Sequence, residues 1–421
     1  MREGGKGAVR EGGKGAVREG GKGAVREGVA AAGTVWAVHE LLDASARHAA
    51  HGAVRGTVEP GYEPLREAFA AVAGEGAQLA VRVAGRQVAD LWTGEDVTAD
   101  SLTGVFSSTK GATFLVLALL AQEGSVRLDR EVAAYWPEFA AEGKGAVTVR
   151  DLAGHRAGAI GTAEGFTPAE VADDAALAAR LAPHRPYWRP GATFGYHALT
   201  VGALVGEVVR RATGATLKQV YDERVRRPYG VDVHLGLPEA EEPRVLPVLP
   251  PAPEAQDRDA VPEAPDSIAG IAGNLHHREP TVLAALPNAR EVRAGGQASV
   301  AGVGSARGLA RLYAAAVTGV DGRPPLLSAA TAAECARPFS AGHDLVLGVR
   351  RAYGLGFMTA RPFLGADAFG HDGAGGSMAF ADPARGLAFG FVPRRFPSPG
   401  GAGPGTERLA VLARDCARRA G

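Results

Sequence analysis

Ser107 and Lys110 stand three residues apart at the head of FSSTKGATFLVLALLAQEG, Phe106 to Gly124. Residues three apart on a helix share a face, one turn apart. The serine hydroxyl and the lysine amine therefore meet if this segment is helical. A serine hydroxyl is a poor nucleophile until a neighbouring base takes its proton. A lysine serves as that base when burial lowers its pKa. The following residues predict such burial. Phe114 to Ala121 is apolar all round, the mark of a helix driven into a core. An ammonium at its head is costly unless paired or discharged. The head of a helix also turns backbone N–H groups toward any negative charge that develops. The ordinary alternative is a chance Ser-x-x-Lys with a snorkelling lysine. With so few serines and lysines, simple frequency gives on the order of a fifth of a match per chain. Ser108 is the neighbouring hydroxyl, but its spacing to Lys110 puts it on another face.

Two further stretches bear on the same chemistry. In WRPGATFGYHALTVGALVGEVVRRATG, Trp188–Gly214, a Pro-Gly turn leads to Tyr196 and then to a helix from about Leu199. A buried tyrosine is usually a core residue with its hydroxyl satisfied. Beside a Ser-Lys pair the same hydroxyl is a proton shuttle. In FGHDGAGGSMAF, Phe369–Phe380, the run His371, Asp372, Gly373 enters a strand through glycines, which let backbone approach a ligand closely. The backbone N–H of Ala374 then faces the same site as that of Ser107.

These residues need a frame to hold them. LAVRVAGRQVADLWTG, Leu79–Gly94, alternates about Gly85 and predicts an antiparallel hairpin. SMAFADPARGLAFGFVP predicts a second, pairing Ser377–Asp382 with Leu387–Val392 across Pro-Ala-Arg-Gly. Tyr62–Ala73 has helical spacing. Thr406–Arg419 puts Leu409, Leu412, Ala413 and Cys416 on one helical face, so Cys416 reads as a buried thiol. Residues of about 130–290 read as mostly helical, with a Pro- and acid-rich surface loop at Pro238–Asp266. Strands at both ends and helices between predict one α+β domain over 57–421 with an inserted helical subdomain. Clefts between such lobes are common ligand sites.

Ahead of the domain, REGGKGAV repeats at Arg2–Val9, Arg10–Val17 and Arg18–Val25. Residues 1–28 lack an apolar face and are expected to be disordered. They are either a flexible interaction tail or a repeat expansion. Residues 29–56 form an extension with one candidate helix around Trp36–Ala46. The chain of 421 residues is 46% hydrophobic with net charge +0. A nucleic-acid surface would need a basic excess. The longest apolar run is far shorter than the ~20 residues of a membrane span. No charged-then-apolar signal opens the chain. Two cysteines, Cys335 and Cys416, make no disulfide framework, so a reduced cytoplasm is the expectation. His48 with His51, and His276 with His277, lack clustered Cys or acidic partners and read as exposed histidines rather than a metal site. Gly302-Val-Gly304-Ser-Ala-Arg-Gly308 faintly echoes a dinucleotide loop, but a loop-to-helix turn explains it better.

The ordered set of Ser-x-x-Lys, a Tyr-x-x triplet and a His-x-Gly triplet resembles the serine β-lactamase and penicillin-binding superfamily. Its details are similar to the class C β-lactamase-related branch that includes family VIII carboxylesterases. FSSTKG, DLAGHRAG (Asp151–Gly158), WRPGATFGYHALTVGALVGE, GVGSARGLARLYAAA (Gly302–Ala316), YGLGF (Tyr353–Phe357) and GHDGAGGSMAFADP carry the resemblance, from about Gly56 onward. It implies a β-lactamase/DD-peptidase-like fold and a serine hydrolase without metal or cofactor. Ser107 becomes the acyl-forming nucleophile and Lys110 its base. Tyr196 activates the attacking group. His371 supports Tyr196 or polarises the substrate. The amides of Ser107 and Ala374 form the oxyanion hole. His197, Asp372 and Gly373 contact substrate, and His155, Gly158, Gly302 and Gly304 match structural positions. Ser305 reads as a helix N-cap.

Two departures steer the expected substrate. The middle triplet, Tyr196-His197-Ala198, ends in a side chain unable to hydrogen-bond a substrate amide or the lysine. The third has His371 in place of lysine, so a fixed positive charge is lost or pH-dependent. Both point away from β-lactams and peptides and toward short-chain carboxylic esters. Acyl transfer, D-amino-acid amide cleavage and weak β-lactamase action on the same site are the enzymatic alternatives. A non-catalytic binder of the same fold is the other class. The intact Ser107, Lys110 and Tyr196 argue against it, and Ala198 argues mildly for it.

Overall fold

The computed structural model describes residues 53–253 and 263–420. The glycine-rich octads, the helix expected at Trp36–Ala46, His48, His51 and part of the Pro238–Asp266 stretch lie outside the described residues.

Both expected hairpins form. Strand β2 (Ala77–Val83) turns into β3 (Arg86–Thr93) through Ala84 and Gly85, which have φ of +48° and +77°. Two positive φ values give the turn whose twist matches its strands. Near the C-terminus β5 (Met378–Asp382) pairs with β6 (Leu387–Pro393), Phe380 opposite Phe389. With β1 (Arg55–Val58) and β4 (Phe369–Asp372) they build one antiparallel sheet, ordered β1-β3-β2-β6-β5-β4. The two ends of the sequence meet where β2 pairs with β6, Val81 opposite Phe389.

Alternation along the strands assigns the faces. Leu79, Val81, Phe380, Phe389 and Phe391 lie on one face with Phe69, Leu409, Ala413 and Cys416. Those partners come from the helices Pro64–Val72 and Pro404–Ala420. Ala80, Ala379, Ala381 and Ala388 lie on the other face, in one core with Leu309 and Ala310 of the helix Ala306–Val317. Small residues let that helix sit close to the sheet. Cys416 is buried and free, as its place on the helix predicts.

The same core holds the helix Lys110–Gln122, buried on every side from Lys110 to Leu120. Each buried Leu, Val or Phe contributes ~1.5–3 kcal/mol. Together they offset the cost of desolvating the lysine at the helix start. A short sheet aims that start: Thr103–Gly104 pairs with Val303–Gly304, which also pairs with Val233–His234. Ser305 caps the helix Ala306–Val317 by accepting from Gly308 N at 3.1 Å.

Residues 130–290 carry helices such as Asp174–Leu181 and Val201–Thr213 and, among the described residues, no strand of the large sheet. The Pro238–Asp266 stretch is less free than a surface loop. Leu246 N donates to Leu102 O at 2.8 Å and Leu249 N to Arg394 O at 2.9 Å. Among the described residues no helix is long and apolar enough to cross a membrane.

Candidate active site

Ser107 lies in the single turn Phe106–Thr109 that feeds the helix Lys110–Gln122. Phe106 has φ +49°, a region bulky residues rarely occupy, at a cost on the order of 1–3 kcal/mol. Packing holds it there. Its ring meets Phe396 edge-on, with centroids 5.4 Å apart. The β4–β5 loop presses on the same ring, since a methyl added at Gly375 would come within 2.1 Å of it. This close approach sets Ala374 and Ser107 in the wall of one cleft. No hydrogen bond claims the backbone amide of either among the described residues. Two such N–H groups suit a developing oxyanion. Ser108 serves the loop instead: its Oγ bonds Ser377 Oγ at 2.9 Å, and Ser377 Oγ donates to Val105 O at 2.7 Å.

Lys110 is fully buried. Its Nζ lies 3.1 Å from Ser107 Oγ, 2.7 Å from Ala198 O and 2.9 Å from Ser299 O. Burial holds its pKa well below the ordinary lysine range, against a smaller opposing pull from Asp372. The same partners also serve the amine once it has lost its proton. Two carbonyls, which only accept, take its two N–H bonds, and the lone pair is left for the Ser107 hydroxyl. This corrects the expectation for Ala198. Its side chain offers the lysine nothing, but its backbone carbonyl makes the shortest of the three contacts.

The sequence reading missed what holds Ser299. Ser299 N donates to Gln297 Oε1 at 2.9 Å, and Gln297 Nε2 donates to Leu199 O at 2.5 Å. Gly202 N donates to Ser299 Oγ at 2.8 Å. A side chain at Gly202 would strike this segment, 2.5 Å from Ser299 N. The signal was a Gln and a Ser amid the small residues of GGQASV.

Tyr196 lines the cleft, its ring centroid 4.7 Å from Lys110 Nζ. Its hydroxyl is buried without a hydrogen-bond partner of good geometry. Burial raises its pKa well above the usual phenol range, and the adjacent Ser107 side chain eases this in part. The resting group is therefore a neutral phenol. Tyr196 N donates to Asp344 Oδ1 at 3.0 Å. Asp344, itself buried, also accepts from Val346 N at 2.9 Å, Leu347 N at 3.0 Å and Tyr353 Oη at 3.1 Å. It ties Tyr196 to the cleft wall. A lone acid in AGHDLVLG carries no motif, so the sequence reading missed this residue too.

His371 packs behind Tyr196, with ring centroids 5.8 Å apart. Its Nδ1 lies 2.6 Å from Asp372 O. A carbonyl only accepts, so Nδ1 carries the proton and Nε2 is an acceptor. Burial above all pushes its pKa to about 3. The positive charge expected to be lost or pH-dependent is thus lost across the neutral range. The donor of His371 is engaged by backbone, and its ring packs against Tyr196. Asp372 lines the cleft, and Gly373 N donates to Ser377 O at 2.8 Å.

His197 departs from the expectation that it contacts substrate. It is fully buried. Ala159 N donates to its Nε2 at 3.2 Å, and its Nδ1 lies 2.7 Å from Gly195 O. Both ring nitrogens are spent on backbone, and burial lowers its pKa to about 4. His155 packs beside Tyr196 and Tyr353, ring centroids 5.1 and 4.6 Å away, and accepts from His197 N at 3.1 Å. His276 Nε2 lies 2.8 Å from Thr162 O.

The cleft measures about 450 Å³ and is largely apolar, with Leu199, Leu283, Val300 and Val346 in its wall beside Ser107.

The β-lactamase family model matches residues 65–414, a span that includes every cleft residue named above. A Mycobacterium tuberculosis protein named esterase/β-lactamase LipL is 33% identical over 365 residues, covering 82% of this chain and 84% of its own length. The structure of EstA from Arthrobacter nitroguajacolicus Rue61a matches with a TM-score of 0.81 at 42% identity, covering 87% of this chain and 99% of that one. A family VIII carboxylesterase matches at 0.77 and 34%, covering 86% and 99%. With a hydroxyl, a buried amine and two unclaimed amides at one cleft, and with these relatives, the chain belongs to the β-lactamase family and is a serine hydrolase.

Proposed function

We propose that this hydrolase cleaves short-chain carboxylic esters through an acyl-enzyme on Ser107. The hydrogen bonding of Lys110 carries the reading: Nζ faces Ser107 Oγ at 3.1 Å while two carbonyls hold its N–H bonds. In acylation, Ser107 Oγ attacks the ester carbonyl carbon and its proton passes to Lys110. The carbonyl oxygen becomes an oxyanion, held by the amides of Ser107 and Ala374. As the tetrahedral intermediate collapses, the C–O bond to the alcohol breaks. The alkoxide takes the Tyr196 hydroxyl proton, and Lys110 returns a proton to Tyr196. In deacylation the relay reverses. Tyr196 and Lys110 accept the proton of an attacking water, and Ser107 leaves with a proton restored.

The substrate class follows from what the site lacks and from its size. At the third triplet a neutral His371 stands where the pattern usually places a lysine, so no cation sits beside Tyr196 at that position. Ala198 brings no side-chain amide. A cleft of about 450 Å³ accommodates a small ester. The family VIII carboxylesterase among the structural relatives agrees with this choice. The test is hydrolysis of p-nitrophenyl butyrate by wild type and Ser107→Ala. Turnover in wild type that vanishes in the variant is expected. Equal turnover in both would remove Ser107 from the mechanism.

A further inference from the structure

Arg351 and Asp372 are the two charged side chains in the wall of the cleft. Six arginines among the described residues hold a buried guanidinium nitrogen that lacks a hydrogen-bond partner: Arg156, Arg290, Arg351, Arg361, Arg385 and Arg395. Five of them are neutralised all the same, by Asp151, Glu242, Glu407, Asp382 and Glu75 respectively. Arg351 is the exception and forms no ion pair among the described residues. Its Nε is buried and unclaimed, and its Nη1 reaches the Arg350 carbonyl at a long 3.3 Å. Asp372 shares the cleft but does not pair with it.

A guanidinium stays charged at any working pH and presents donors in a fork that matches a carboxylate. In an apolar cleft such a pair is stronger than in water. Part of the desolvation of Arg351 is already met in the free enzyme, because Nε is buried before any ligand arrives. The permanent positive charge missing at His371 is therefore present at Arg351, in the cleft wall.

We propose that Arg351 is a specificity residue that binds a carboxylate carried by the substrate. The preferred substrates are then small esters with a second, anionic end, such as half-esters of dicarboxylic acids. This rests on the esterase reading and names its substrate class. Asp372 lines the same cleft and disfavours a second anionic group, so one carboxylate is the expected number.

Two pairs of esters test it. For an anion on the acyl side, the p-nitrophenyl half-ester of adipic acid is compared with p-nitrophenyl hexanoate. For an anion on the alcohol side, the butyrate ester of m-hydroxybenzoic acid is compared with that of its methyl ester. The readout is the kcat/KM ratio of anionic over neutral substrate. In at least one pair Arg351→Leu lowers this ratio about tenfold or more, chiefly through KM, and Arg351→Lys recovers part of it. Unchanged ratios in both pairs overturn the proposal. Binding is read separately by calorimetry with monomethyl adipate on Ser107→Ala and on Ser107→Ala/Arg351→Leu. Binding lost with Arg351 sustains the anion site even if no ester is turned over, which would defeat only the esterase reading. Equal binding in both proteins, or none in either, overturns the site.

Discussion

The carbonyl oxygen of Ala198 lies 2.7 Å from Lys110 Nζ, and that of Ser299 lies 2.9 Å from the same atom. Between them they occupy both N–H bonds of an uncharged amine and turn its lone pair to Ser107. An arginine at this position is always charged and has no lone pair to give. Lys110→Arg and Lys110→Ala are both expected to lower kcat by about 10²–10⁴. A merely electrostatic lysine would leave the arginine variant active. In wild type, kcat/KM should rise with pH as Lys110 loses its proton, with a midpoint below the ordinary lysine range because burial lowers that pKa.

Tyr196→Phe separates catalysis from folding. The hydroxyl it removes is buried and has no well-formed hydrogen bond to lose. An unsatisfied buried polar group costs about 1–3 kcal/mol. The melting temperature is therefore expected to hold or rise while kcat falls by about 10²–10⁴. Calorimetry beside kinetics checks both. A destabilised variant with normal turnover would make Tyr196 a packing residue.

Gly375→Ala tests how the oxyanion site is built. Its new methyl would meet the Phe106 ring at 2.1 Å, so the loop must back away and take the Ala374 amide with it. Removing one oxyanion donor costs about 10²–10³ in kcat, and KM should change much less. Wild-type kcat in this variant would mean that the Ala374 amide does not hold the oxyanion.

Buried histidines set an acid limit on stability. Burial lowers His371 to about 3 and His197 to about 4, from an unfolded value of 6.5, and His155 well below it. Between those values and 6.5 the unfolded chain binds protons that the native protein does not. Stability therefore falls as pH drops below 6.5, by up to ~1.4 kcal/mol per pH unit for each histidine. Urea midpoints at pH 7, 6 and 5 should decline steadily, above the range where carboxylates titrate. A flat profile over this window would mean that these rings take up protons in the folded protein.

Much of this was legible in the sequence because it is local. Period-two runs located both hairpins, and the three-residue spacing put Lys110 under Ser107. What escaped is non-local or made of backbone. Tyr196 and Asp344 are 148 residues apart in the chain, and Lys110 and Ser299 are 189 apart. Carbonyl acceptors leave no mark in residue type, which is why Ala198 looked like a loss. His197 was read toward the substrate because its neighbours in sequence belong to the site. Its ring is instead spent on Gly195 and Ala159.

An acyl-enzyme leaves its acyl group on the nucleophile, where it can be found. Wild type is mixed with p-nitrophenyl butyrate, quenched in acid within the first turnovers, digested and mapped by mass spectrometry. A butyryl group is expected on Ser107, resolved by fragmentation from Ser108, and none in Ser107→Ala. A butyryl group on another residue, or continued turnover in Ser107→Ala, would contradict it.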